Sequence, residues 1–285
     1  MINGRTELYG IIGNPVRNSL SPMIHNGAFK RLGWNAVYLA FEIKNLEEAL
    51  RGIRGLGVRG VSVTHPFKTE VIPFLDKVEK LAKKIGAVNT IVHREGRLIG
   101  YNTDCDGALE ALEEKMDLRG KRVVLLGAGG AARAIGFGLK ERDGQLIIAN
   151  RSRNRGEALS RELKCHFIPM SSLFKMKTGE LEADVVINAT SLGMVPRERE
   201  TPLPKKLLRK GMMVMDIVYE PLQTKLLREA KEKGCLTING LEMLVQQGVA
   251  QFMIWTGKRP EIGKIKKDLR RALEEESPKT HLAKL

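Results

Sequence analysis

Along the first hundred residues, short apolar runs alternate with stretches whose apolar positions recur every three to four residues. That change of period marks alternating strands and helices. Leu8–Ile12 predicts a strand, and Ser21-Pro22 predicts a helix through about Leu32, with Ser21 as N-cap and proline at the first helical position. Val37–Ile43 predicts a second strand, Asn45–Arg54 a helix, and Gly60–Thr64 a third strand stopped by Pro66. A helix is expected near Asp76–Lys84, then two strands, Asn89–His93 and Arg97–Tyr101, joined as a hairpin by Glu95-Gly96. Strand and helix alternation with a hairpin implies an α/β domain with a mixed sheet.

A helix from Asp106 to about Met116 precedes a second βαβ series, with strands expected at 121–126, 145–149, 184–188, 212–217 and 236–238. That series fits an open, mostly parallel, doubly wound Rossmann-like sheet. After Asn239-Gly240 the pattern is helical to the end, and terminal helices of this kind pack back on the first domain. The expected division is therefore 1–104 with 241–285 as a substrate domain, and 105–240 as a dinucleotide domain. A length of 285 residues suits two domains.

Composition narrows the function classes. The 42% hydrophobic and 28% charged fractions are ordinary, and no run approaches a membrane span. Met1-Ile2-Asn3-Gly4-Arg5 leads into the first strand without a signal-peptide h-region, which predicts a cytoplasmic protein with no membrane partner. Cys105, Cys165 and Cys235 are odd in number and widely spaced, and the five histidines form no ligand-spaced set, so no metal and no disulfide framework is expected. The net charge of +15 is the one extreme value. Its densest run, Lys258, Arg259, Lys264, Lys266, Lys267, Arg270 and Arg271, alternates with Ile262, Ile265 and Leu269 at helical spacing. That places the charge on the wet face of a terminal helix, and with 5% aromatic residues no nucleic-acid partner is expected.

The clearest local chemistry is Gly127-Ala128-Gly129-Gly130-Ala131-Ala132, which follows an apolar strand and opens a helix. Glycines there let the backbone approach a pyrophosphate, whose charge meets free N–H groups at the positive end of the helix. About 20 residues on, an NAD site would carry an acid for the ribose 2′-OH. This chain has Asn150-Arg151-Ser152-Arg153-Asn154-Arg155 instead. Guanidinium groups suit a 2′-phosphate, so the expected cofactor is NADP, with Arg151 and Arg155 on the phosphate and Ser152 as a hydroxyl donor.

Carbonyl reduction also needs a proton for the developing alkoxide. Lys68, just beyond the third strand, could supply it, and Asp104, before the next helix, could position it. Ser19 and Ser21 could donate to a carboxylate. Taken singly, these residues read more readily as a surface lysine, a capping aspartate and a capping serine.

Their joint pattern resembles the shikimate dehydrogenase family over nearly the whole chain. The matching blocks are Ser19-Leu-Ser-Pro-Met-Ile-His-Asn, Val63-Thr-His-Pro-Phe-Lys68, Gly86-Ala-Val-Asn-Thr90, Gly100-Tyr-Asn-Thr-Asp104, Gly127-Ala-Gly-Gly-Ala-Ala132, Asn150-Arg-Ser152, Asp216-Ile-Val-Tyr-Glu-Pro-Leu222 and Gly240-Leu-Glu-Met-Leu-Val-Gln-Gln-Gly248. The resemblance implies reversible NADPH-dependent reduction of 3-dehydroshikimate to shikimate in chorismate and aromatic amino-acid biosynthesis. It implies Lys68 as acid/base with Asp104 as partner, Ser19 and Ser21 on the substrate carboxylate, and Thr64, Asn89, Asp104, Tyr219 and Gln247 on its carboxylate or hydroxyls. It further implies Gly127, Ala128, Gly129, Gly130 and Ala131 at the pyrophosphate, Asn150 to Arg155 at the adenosine phosphate, and Thr190, Ser191, Ile217 and Gly240 at the nicotinamide. The binding groups would line a cleft between domains, in a monomer or homodimer.

Two positions depart from the family pattern. Ser62 stands where the family has Asn, removing an amide, and Glu220 where Asn is common before Pro221. The first leaves open a quinate/shikimate dehydrogenase of broader substrate and cofactor use. A different class, an NADP-sensing protein that uses its positive charge on nucleic acid, is the remaining alternative.

Overall fold

A computed structural model describes residues 2–275; Met1 and residues 276–285, which the sequence pattern assigns to the first domain, lie outside the described residues. The chain divides into two compact units, one built from the segment through Thr103 together with the segment from Gln247, the other from Asp104–Gln246.

The first unit contains β1 (Glu7–Gly13), α1 (Ser21–Arg31), β2 (Ala36–Glu42), α2 (Leu46–Gly55), β3 (Gly60–Val63), β4 (Lys77–Val78), α3 (Lys80–Ile85), β5 (Thr90–Arg94) and β6 (Arg97–Tyr101). Its sheet order is β2-β1-β3-β5-β6-β4. The β1 pairs with β2 and β3 are parallel, whereas β5 is antiparallel to both β3 and β6, so the sheet is mixed as its pattern implies. The hairpin forms at Glu95-Gly96, both with positive φ, the conformation a tight two-residue turn requires.

Three local expectations fail here. Ser21 is not the N-cap of α1: the chain already turns at Leu20, and Ser21 lies inside the first turn with no capping bond. The segment from Asp76 does not begin a helix. The Asp76 carboxylate accepts the Leu98 N–H at 2.6 Å and pairs with Arg54 at 2.8 Å, which draws 77–78 alongside β6 as a strand and delays the helix to Lys80. At the start of the second unit, α4 (Asp104–Glu113) begins two residues earlier than its pattern suggests, with Asp104 and Asp106 both in the first turn, where the helix dipole favours acids.

The second unit continues with β7 (Arg122–Leu126), α5 (Gly130–Glu141), β8 (Gln145–Asn150), α6 (Arg153–Glu162), β9 (His166–Pro169), α7 (Met170–Lys175), β10 (Val185–Asn188), β11 (Met213–Asp216), α8 (Lys225–Glu232) and β12 (Leu236–Ile238). The strand order is β12-β11-β10-β7-β8-β9, and every neighbouring pair is parallel. Strand β9 and helix α7 are absent from the expected pattern; both are short, and β9 is an edge strand with His166 exposed.

Two terminal helices follow, α9 (Gly240–Thr256), which crosses the division at Gln246, and α10 (Ile262–Glu275). Within the first unit, Trp255 of α9 donates its indole N–H to the Ile91 carbonyl at 3.0 Å. Gly60 on β3 makes room for that indole, since a Cβ there would collide with the ring. Helix α10 buries Ile265 and Leu269 and joins α1 through Arg31–Asp268 at 2.7 Å, leaving Lys264, Lys267, Arg270 and Arg271 on its exposed side. No helix among the described residues is long and apolar enough to cross a membrane.

Candidate functional site

In the second unit the chain runs outward from β7 through β8 to β9, then returns to β10 on the other side of β7. The loops leaving β7 and β10 therefore diverge at a topological switch point, where open parallel sheets bind ligands. Gly127 follows β7 at φ 117°, and a Cβ there would sit 2.8 Å from the Ala189 carbonyl oxygen of the β10 loop. Ala132 is buried at the end of the G-x-G-x-x-A run, and Gly138, further along α5, lets that helix pack closely on Leu109 and Cys105 of α4.

The α5 N-terminus has the features of an anion cradle. Gly129 is its N-cap with no side-chain capping bond, no acid lies in its first turn, and the space beside Gly129 is open. At the end of β8, the Asn150 amide donates to the Ser152 carbonyl at 2.8 Å and folds the turn that carries Arg151 and Arg155. Arg153 pairs with Glu157, whereas Arg151 and Arg155 are exposed and make no ion pair among the described residues. Open N–H groups, a Cβ-free approach and two uncommitted guanidinium groups fit a dinucleotide with a 2′-phosphate.

Thr190, Ile217 and Gly240 also gather at this edge. Ile217 donates its N–H to the Asn188 carbonyl at 3.0 Å, and a Cβ on Gly240 would overlap the Ile217 carbonyl. Ser191 is exposed in the same loop as Thr190. Beneath them lies a buried carboxylate that sequence reasoning did not single out. Asp216 accepts from Thr224 Oγ1 at 2.7 Å, Asn188 Nδ2 at 2.9 Å and the Val218 N–H at 3.0 Å. Burial pushes its pKa up to about 6, against the downward pull of those three bonds. Asn188 in turn accepts from the Thr190 hydroxyl and N–H at 2.7 and 3.0 Å, so Asp216 holds both the Thr190 loop and the Ile217–Tyr219 segment. Tyr219 is half-buried, and burial raises its phenol pKa.

In the first unit, Thr64 follows β3 and presses its methyl group on Gly13 at the end of β1, and its N–H donates to the Ile12 carbonyl at 3.0 Å. Lys68, half-buried, lies in the turns that follow; its carbonyl accepts the Val88 N–H at 2.7 Å. That bond ties the Lys68 turn to the segment ending in Asn89. The buried Asn89 side chain is engaged with Thr103: Oδ1 accepts the Thr103 N–H at 2.9 Å and Nδ2 donates to its hydroxyl at 2.9 Å. Asn102 Nδ2 donates to the Ala87 carbonyl at 2.9 Å. The two blocks around Asn89 and Thr103 are thus bonded together, fixing the backbone immediately before Asp104. Asp104 is buried at the start of α4, and Gln247 is buried on α9.

Ser19 is half-buried, and its hydroxyl oxygen accepts the Ser21 N–H at 3.2 Å. Behind Ser21 lies a polar cluster within the aromatic core. Tyr38 and His25 are wholly buried with rings stacked at 4.4 Å, and Ser62 and Gln251 are buried beside them. The departure at Ser62 therefore has a structural setting: its hydroxyl bonds inward to Tyr38 and Gln251. Only a glutamine in the apolar α9 pattern, four residues beyond Gln247, signals this cluster in sequence. Cys105 is buried with its thiol pKa pushed up to about 12 by burial, the opposite of an activated nucleophile.

Residues 11–91 match the family described as the shikimate dehydrogenase substrate binding domain, residues 109–221 the shikimate / quinate 5-dehydrogenase family, and residues 240–270 the shikimate 5′-dehydrogenase C-terminal domain. The chain is 49% identical over 267 residues to shikimate dehydrogenase (NADP(+)) of Thermococcus kodakarensis, covering 92% of this chain and 96% of that one. Its fold is similar to that of a shikimate dehydrogenase crystallised with NADP+, at a TM-score of 0.90, 42% identity and coverage of 96% and 98%. It is also similar to shikimate 5-dehydrogenase of Thermus thermophilus in complex with NADP(H) and shikimate, at a TM-score of 0.85, 37% identity and coverage of 94% and 100%.

Proposed function

The chain belongs to the shikimate dehydrogenase family, and on that premise we propose that it catalyses the reversible NADPH-dependent reduction of 3-dehydroshikimate to shikimate. The observation that carries the cofactor half of this reading is the switch-point loop. Gly127, Ala128, Gly129, Gly130 and Ala131 lead into an uncapped helix start, and Arg151 and Arg155 stand uncommitted where a 2′-OH-binding acid would otherwise be. NADPH, when bound, supplies the hydride.

The remaining chemistry falls to the side chains. Lys68 delivers the proton to the alkoxide that forms as the carbonyl is reduced and takes it back in the reverse direction. Asp104 is assigned as its partner, orienting the substrate hydroxyl. Ser19 and Ser21 are assigned to the substrate carboxylate, and Thr64, Asn89, Tyr219 and Gln247 to its carboxylate or hydroxyls. Thr190, Ser191, Ile217 and Gly240 serve the nicotinamide end. These roles rest on the sequence blocks and on the placement of each residue within its own unit.

The test is product identity. Purified protein given NADPH and 3-dehydroshikimate should consume both in equal amounts and yield shikimate, identified by mass and retention time. Cofactor oxidation without shikimate, or no turnover at all, rules the assignment out.

A further inference from the structure

Every hydrogen bond that ends on the buried Asp216 carboxylate comes from a group that can only donate there. The Thr190 N–H must donate, so the Asn188 side-chain oxygen that receives it at 3.0 Å faces that loop. The Asn188 amide nitrogen then points to Asp216 Oδ1 at 2.9 Å and to the Leu192 carbonyl at 3.0 Å. Thr224 Oγ1 receives the Leu227 N–H at 3.3 Å as the cap of α8, which directs its own proton to Asp216 Oδ2 at 2.7 Å. The Val218 N–H completes the set on Oδ1 at 3.0 Å. Three donors and no acceptor suit an anion. A proton on Oδ1 would face two N–H groups, and one on Oδ2 would turn the Thr224 hydroxyl away.

The same network holds both loops assigned to the nicotinamide end. The Thr190 hydroxyl donates to Asn188 at 2.7 Å and accepts the Leu192 N–H at 3.1 Å. Gly193, at φ 98°, lets this loop close on the network: a Cβ there would lie 3.3 Å from Thr224 Cβ and 3.9 Å from Asp216 Oδ2. On the other side, the bond to the Val218 N–H anchors the segment whose Ile217 carbonyl packs on Gly240. Strands β10 and β12 carry no titratable residue, and α8 buries Leu226, Leu227 and Ala230. Tyr219, Glu220 and Lys225 follow Asp216 in the chain, and Glu242 lies in the first turn of α9. None of them enters the shift of the Asp216 pKa to about 6, whose causes are burial and the three bonds.

We infer that Asp216 is a positioning residue that holds the nicotinamide end of the cofactor site as an anion, so that binding of NADP+ expels to the buffer the proton Asp216 carries. The inference rests on the assignment of Thr190, Ser191, Ile217 and Gly240 to the nicotinamide. Hydrogen bonds to an ionised acceptor are roughly twice as strong as those to a neutral one, so ionised Asp216 orders both loops more firmly. The oxidised nicotinamide ring is itself a cation, which an anion in this network attracts. Both effects favour the carboxylate in the complex, against the burial that favours its protonated form in the free protein.

The test is calorimetric titration of the full chain with NADP+ and with 2′-phospho-ADP-ribose, which is NADP without its nicotinamide, in buffers of different ionisation enthalpy. Both ligands carry the 2′-phosphate, so the difference in protons released isolates the nicotinamide end. At about pH 6, NADP+ should release roughly half a proton more than 2′-phospho-ADP-ribose, and at about pH 8 the two should release the same. From about pH 8 to about pH 5, NADP+ should weaken relative to the truncated ligand by roughly tenfold, as the ionised fraction of the carboxyl falls. Asp216→Asn keeps the shape and can set its amide oxygen on the two N–H donors. It should bind 2′-phospho-ADP-ribose within about twofold of wild type, bind NADP+ about tenfold more weakly at about pH 8, and show no excess proton release. A purely structural role would weaken both ligands together. Equal proton release by the two ligands in wild type, or equal losses for both in Asp216→Asn, overturns the proposal and leaves the cofactor assignment standing. If wild type binds neither ligand, the cofactor assignment itself fails, and the proposal with it.

Discussion

Gln251 donates its side-chain amide to the main-chain carbonyl of Asn89 at 3.2 Å, fastening helix α9 to the strand segment that carries a candidate substrate residue. Trp255, one helical turn on, makes the matching bond to Ile91, two residues along the strand. The period of four on the helix meets the period of two on the strand.

Replacing Gln251 with Leu should therefore be costly. It leaves the His25 Nε2 and Ser62 hydroxyl buried without their acceptor, an expected loss of roughly 2–5 kcal/mol. Urea unfolding measures it, and a change within about 0.5 kcal/mol would show that the cluster adds little to stability.

Gly60→Ala tests the docking of α9 from the other side. The new methyl would meet the Trp255 indole, whose N–H is held on Ile91. Overpacking of this kind costs about 1–3 kcal/mol. A calorimetric Tm several degrees below wild type is expected, and an unchanged Tm would mean that the indole moves aside freely.

Burial raises the Asp216 pKa from 3.8 to about 6, so the folded protein holds this proton more tightly than the unfolded chain does. The sign follows by linkage: the contribution to stability is fully present below about pH 4, falls as pH rises through about 6, and is constant above. Over that window wild-type stability should decline relative to Asp216→Asn, by up to roughly 3 kcal/mol. Chemical unfolding of both proteins from pH 4 to 8 decides it. A wild type that gains on the variant as pH rises would contradict the assigned direction.

Arg151→Ala should separate the cofactors. Loss of a charge-assisted bond to the 2′-phosphate should weaken NADP roughly 10- to 100-fold and NAD about threefold or less. Equal losses for both would show that Arg151 does not read the phosphate.

The two-domain α/β plan was legible because it is written in periodicity. The apolar strands Val123–Leu126 and Val185–Ile187 and the glycine run between strand and helix need no tertiary information. The cofactor loop was legible for the same reason, since Gly127 and the arginines after β8 act where the chain itself puts them. What escaped were features set by tertiary partners. Ser21 has the composition of a cap but lies inside the first turn because the chain already turns at Leu20, Asp76 looks like a helix start but is captured by Leu98 and Arg54, and Asp216 reads as the end of a strand but organises two loops. Tyr38 and Ser62 meet across 24 residues of chain, and Ser62 and Gln251 across 189, separations that no local pattern encodes. Lys68 and Asp104 stand apart from both groups: the roles proposed for them rest on the ordered blocks around them.

Lys68→Ala accordingly probes the chemistry itself. Removal of a positioned acid/base should lower kcat by about 10²- to 10⁴-fold while NADP binding persists. Near-normal turnover would remove Lys68 from the proton transfer.

The most direct test of the account is kcat/KM for shikimate and for quinate, each with NADP+ and with NAD+, on the purified protein. Shikimate with NADP+ is predicted to exceed every other pair by at least roughly tenfold, the discrimination expected from a single lost polar contact. Quinate oxidised with NAD+ as efficiently as shikimate with NADP+ would contradict it.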